Sequence, residues 1–143
     1  MSQLRWLSFL GLMVVVLAGC EKKSTQTEST GATEAACTGT ALTAAPNLPS
    51  RFPTLTSVTY TKASTQGPTE IVEGYYSGDV KAAHDEFKSA FEGAGYTVLF
   101  DELEDHDSEV SWKGQGRSGQ VALREDCGSG SNRTFVHITN RPQ

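Results

Sequence analysis

The densest chemistry in this chain is the acidic run Asp101-Glu102-Leu103-Glu104-Asp105-His106-Asp107-Ser108-Glu109. Hard carboxylates converging at a turn can ligate calcium. The EF-hand order requires glycine at the sixth loop position and glutamate at the twelfth, and the run supplies neither. A solvated hairpin tip, whose charges discourage strand-to-strand aggregation, accounts for it better. His84, His106 and His137 are the imidazoles, with no HxH or HxxxH pair among them. A zinc site needs three or four ligands at short range, so no metal centre is expected. Serines are plentiful but no GxSxG elbow occurs, which removes the commonest signal for acyl transfer. Glu73, Asp101 and Glu102 could work as paired carboxylates. Two alternatives therefore stay open: a small hydrolase of envelope glycan or peptide, and a calcium-dependent module on the 101–109 turn. The alternating glycines from Gly114 to Gly119 lie between strand-like segments, not ahead of the helix N-terminus that a phosphate cradle uses. They read as a hairpin turn. No cofactor is expected, and a non-enzymatic role fits best.

Cys20 closes the tetrapeptide Leu17-Ala18-Gly19-Cys20, behind Arg5 and an apolar run from Trp6 to Leu17. A charged start, an apolar stretch and small residues before the cut are the parts of a secretory signal. The apolar run is too short for the ~20 residues of a spanning helix. With this lipobox the segment resembles the bacterial secretory lipoproteins, over residues 1–20 and the polar stretch behind them. The resemblance implies that residues 1–19 are removed as a signal peptide and that the Cys20 thiol carries a diacylglyceryl group. It also implies further acylation of the freed amine, typically by palmitate. Two or three chains at ~0.8 kcal/mol per buried methylene make a lasting anchor. The mature chain would then sit on the cell membrane or outer membrane, facing the periplasm or exterior. Glu21, where an Asp would favour inner-membrane retention, leans towards the outer membrane.

With Cys20 taken by lipid, Cys37 and Cys127 remain. In an oxidising compartment one disulfide is their simplest state. Unpaired thiols or a metal-held pair are the alternatives, and no CxxC motif favours the latter. Closing so long a loop is worth about 4–5 kcal/mol in the entropy model.

Loss of Arg5 makes the formal net charge of −5 one unit more negative. A mildly acidic chain without basic clusters has no electrostatic footprint for nucleic acid. Nor is it drawn flat onto anionic lipid, so the membrane is a partner through the N-terminal lipid alone. Residues 20–37 hold almost no large apolar side chain and predict a flexible tether, reaching ~20–25 Å. Residues 38–143 then form one domain, opening with an extended lead-in over 38–54 that carries Leu42, Leu48 and Phe52.

Thr56–Lys62 and Glu70–Tyr76, rich in Val, Ile, Thr and Tyr, read as a hairpin across Ser64-Thr65-Gln66-Gly67-Pro68. Asp79 is a candidate N-cap. Behind it Val80, Ala83, Phe87, Ala90, Phe91 and Ala94 recur at three- and four-residue steps, which is an amphipathic helix ended by Gly93 and Gly95. Strands are predicted over Tyr96–Leu103, Ser108–Lys113, Gln120–Glu125 and Arg133–Thr139. The expected class is α+β, a single antiparallel sheet with one helix packed on one face, in the order ββαββββ.

Such a sheet leaves its second face open. Phe135 and His137 share one side of the last strand, and one of the neighbours Tyr75 and Tyr76 must also point away from the helix. Tyr75, Tyr76, Phe135 and His137 are thus the candidate binding patch for an envelope protein, peptide or glycan. Its competitor is burial of these rings under the Thr38–Pro53 lead-in.

Overall fold

The computed structural model describes residues 28–44, 46–128 and 130–143. The lipobox, Cys20, the signal segment and residues 20–27 of the expected tether lie outside them. Element order is α1 (Glu28–Thr38), β1 (Val58–Gln66), β2 (Thr69–Tyr76), α2 (Val80–Gly93), β3 (Thr97–Leu103), β4 (Asp107–Gly114), β5 (Arg117–Arg124) and β6 (Thr134–Pro142). The six strands form one sheet ordered β1-β2-β6-β5-β4-β3, antiparallel at every pairing. The last strand therefore lies in the middle. It joins the β1–β2 hairpin to the β3–β4–β5 meander.

The helix period in the sequence is realised in α2. The Asp79 carboxylate accepts the Ala82 N–H at 2.7 Å, satisfying one of the donors a helix start leaves over. Gly95, with φ of 79°, ends the helix where the Tyr96 N–H turns back to the Phe91 carbonyl at 3.0 Å, a left-handed stop that glycine adopts without strain. Val80, Ala83, Phe87 and Phe91 are buried. They lie on β3, β4 and β5. Opposite them, β4 buries Ser108, Val110 and Trp112, and its other face carries Glu109, Ser111 and Lys113. Val121 and Leu123 of β5 are also inward, at 0 % exposure.

The turn between β4 and β5 is tighter than its glycine content suggests. Gln115 and Gly116 alone make it, both at positive φ, as a two-residue hairpin turn demands. Gly119 belongs to β5, where a Cβ would collide with the Thr139 carbonyl and the Trp112 ring. Its smallness serves packing.

The lead-in is part of the core. Phe52 is 5 % exposed and meets Phe91, Trp112 and Tyr96 at ring-centroid distances of 5.3, 5.4 and 6.4 Å. Leu48 and Leu55 pack against the same cluster.

Two expectations need correction. Part of the predicted tether is the helix α1, so a second helix joins the one foreseen. It lies against β1, β2 and β6, on the sheet face away from α2. Its alanines favour helix intrinsically, and Ala36 and Cys37 bury against Phe135. The disulfide between Cys37 and Cys127, with Cα atoms 5.3 Å apart, joins its last turn to the loop before β6. A composition poor in large apolar residues concealed this, because two small side chains and a covalent bond do the anchoring.

Candidate functional site

The β2–β6 register sets Tyr75 opposite Phe135 and Glu73 opposite His137, so these four share the face that α2 does not cover. Tyr76, paired with Thr134, points the other way and is 7 % exposed in the core. The predicted patch thus loses one member to strand alternation. Phe135 is 6 % exposed, covered by Ala36, Cys37 and Cys127. Arg133 lies over the Tyr75 ring at 4.2 Å, a cation–π contact, and donates to the Cys37 carbonyl at 2.9 Å. That donation places a cation at the negative end of α1. His137 Nδ1 stands 3.3 Å from the Glu73 carboxylate, which also accepts from Lys62 at 2.9 Å. Three of the four candidate residues come together, but under or beside α1 and not as a free aromatic platform. The lead-in, the cover considered from sequence, closes the opposite face instead.

Among the described residues, the rest of this face is left uncovered. Over β3, β4 and β5 it is floored by short and polar side chains such as Ser111, Gln120 and Ala122. A shallow groove of about 440 Å³ runs there between Leu99, Ser111, Gln120, Thr139 and Arg141. Leu99 is the extra residue of a bulge, since the register steps from Val98↔Trp112 to Phe100↔Ser111. Leu99 and Phe100 are 55 % and 49 % exposed. The signal for them was the run Val98-Leu99-Phe100: successive strand residues face opposite sides, so three apolar neighbours cannot all reach one core.

The acidic segment forms the end of β3, its turn and the start of β4. Lys88 of α2 donates to Asp101 at 2.6 Å, and this ammonium holds the carboxyl below the usual carboxylate range. His106 contacts Glu125 at 2.5 Å, which raises the imidazole pKa. Among the described residues no three His, Cys, Asp or Glu side chains are grouped as metal ligands. A cleft of about 410 Å³ separates this turn from the start of α2, lined by Asp79, Lys81, Leu103, Glu104, Glu125 and Arg133, among others.

One arrangement escaped the sequence reading. His84 Nδ1 lies 2.7 Å from Ser108 Oγ, and its Nε2 lies 3.6 Å from Asp101. The residue types are those of a nucleophilic triad. Ser108 is 1 % exposed and His84 5 %, however, so the hydroxyl faces α2 packing and no substrate can approach it. The pair satisfies polar groups inside the helix–sheet contact. The signal was available: His84 follows Val80 by four residues on the apolar helix face.

Compared with protein-family models, curated proteins and solved structures, the chain matches none, so its own geometry carries the functional reading.

Proposed function

We propose that the protein is a lipid-anchored module of the bacterial envelope that binds or assists a protein, peptide or glycan, without catalysis of its own. In this reading a ββαββββ unit with α2 across one face is the working domain, and α1 joins it to the acylated Cys20. The carrying observation is the pair Leu99 and Phe100, both about half exposed beside the open groove. Large apolar side chains gathered at an uncovered face are a mark of a contact surface. The Cys37–Cys127 disulfide supports an oxidising location. The anchor itself rests on the resemblance at Leu17-Ala18-Gly19-Cys20. Among the described residues no helix is long and apolar enough to cross a membrane.

Two measurements test this. A photo-crosslinking residue at position 100, expressed in intact cells, should capture one abundant envelope partner, whereas the same residue at the exposed α2 position Ser89 should not. Equal capture at both positions would remove the open face from consideration. Cys20→Ala should abolish incorporation of an alkyne-labelled fatty acid and release the chain from membranes; unchanged fractionation would end the anchor reading.

A further inference from the structure

Among the described residues β3 is the unpaired margin of the sheet. Its ladder neighbour is β4 alone, and among the described residues no loop or turn backbone bond reaches residues 97–103. The other margin, β1, is tied down. Tyr60 accepts the Leu42 N–H at 2.8 Å, and the Thr61 hydroxyl donates to the Ala36 carbonyl at 2.8 Å. An open edge strand points backbone N–H and C=O groups outward and is a template for a further strand. The bulge at Leu99 bends the start of β3. From Phe100 to Leu103 the pairing with β4 is regular, enough for a short added strand.

Leu99, Phe100 and Leu103 are the exposed large hydrophobics of the described residues, and all three lie on this one strand. The charge around them has one sign. Glu102 stands directly opposite Glu109 in register, a like-charge pair that costs sheet stability, and Glu104 and Asp105 follow at the turn. Among the described residues no salt bridge reaches any of these four carboxylates. A second copy docked edge to edge would bring them against their own images. A cationic strand would neutralise them.

We infer that β3 accepts an extended protein segment of mixed apolar and basic side chains as a seventh strand. Its apolar residues cover Phe100 and Leu103, and its lysines or arginines face Glu102 and Glu104. The inference rests on the open-face reading above and names the chemistry of the partner.

The probe is a nine-residue synthetic peptide with a Val-Val-Lys-Lys repeat, which sets valine and lysine in turn on each face of a strand. Titrated into the isotope-labelled full chain in detergent, it should bind saturably, with amide shifts concentrated at Phe100–Leu103. Binding should weaken at least tenfold from low to high salt, as screening requires. The same peptide N-methylated at every amide has no donor left on either edge, cannot join a ladder and should bind at least tenfold more weakly. So should the unmodified peptide with an E102K/E104K variant of unchanged near-UV spectrum. Equal binding by the N-methylated peptide, equal binding by a Val-Val-Glu-Glu repeat, shifts centred elsewhere, or no binding would each overturn the inference. A position-100 cross-link to a second copy would also overturn it. If a partner is cross-linked in cells while the peptide fails to bind, strand addition falls and the contact surface stands. If neither occurs, both fall.

Discussion

Phe52 belongs to no strand or helix, yet it plugs the aromatic cluster between α2 and the sheet. Truncation to alanine would remove its ring from among Phe91, Trp112 and Tyr96, at centroid distances of 5.3, 5.4 and 6.4 Å. Those neighbours sit on α2, β4 and the turn before β3, three separately anchored elements that cannot collapse together into the void. Phe→Ala at such a site costs about 3–5 kcal/mol, a large share of the ~5–15 kcal/mol that holds a typical domain together. At roughly 4 °C or more per kcal/mol for a domain of this size, the melting midpoint should fall by on the order of 12–20 °C. Urea unfolding followed by near-UV circular dichroism measures this directly, with Phe52→Leu as the comparison that retains most of the volume. A Phe52→Ala loss below about 1 kcal/mol would show that the lead-in lies loosely on the domain, and the account of the core would be wrong.

Replacing both Cys37 and Cys127 by serine should cost up to about 4–5 kcal/mol on the loop-entropy argument. Hydrogen exchange should then rise in α1 well before it rises in β6; equal protection in α1 with and without the bond would show that other contacts hold the helix. Glu125→Gln should lower the His106 pKa in an NMR titration, and no change would dismiss the pair. The sign follows from the raised folded value: the contribution is fully present below the unfolded pKa near 6.5 and is lost as pH rises through the folded one. Ser108→Ala strands a buried histidine nitrogen and should cost about 1–3 kcal/mol. A fluorophosphonate should leave Ser108 unlabelled in the folded protein, and labelling would show that its hydroxyl is open to a substrate and that the burial argument is wrong.

Much of the domain was legible because periodicity is a local property. The three- and four-residue steps of Val80, Ala83, Phe87 and Phe91 define one helix face whatever lies beneath it. The alternation of Val110 and Trp112 with Glu109 and Ser111 likewise assigns two strand faces without reference to a partner. Boundaries moved where hydrogen-bond ladders outran composition, as in β1, which continues through Ser64, Thr65 and Gln66 to a turn at Gly67 and Pro68. The candidate patch was half legible. Alternation put Phe135 and His137 on one side, but gave no sign of the helix that covers Phe135.

From the chain alone came the two faces of β4, the shared side of Phe135 and His137 on β6 and the capped helix α2, all consequences of local stereochemistry and residue type; the pairing of Cys37 with Cys127 followed once the lipobox resemblance claimed Cys20. The position of β6 at the centre of the sheet, the covering of Phe135 by α1, and the open edge that carries Leu99 and Phe100 came from tertiary structure. These depend on which distant segments pair and what area they leave uncovered. No residue's type or spacing encodes that, because it is settled by long-range hydrogen-bond ladders and burial acting on the whole chain at once.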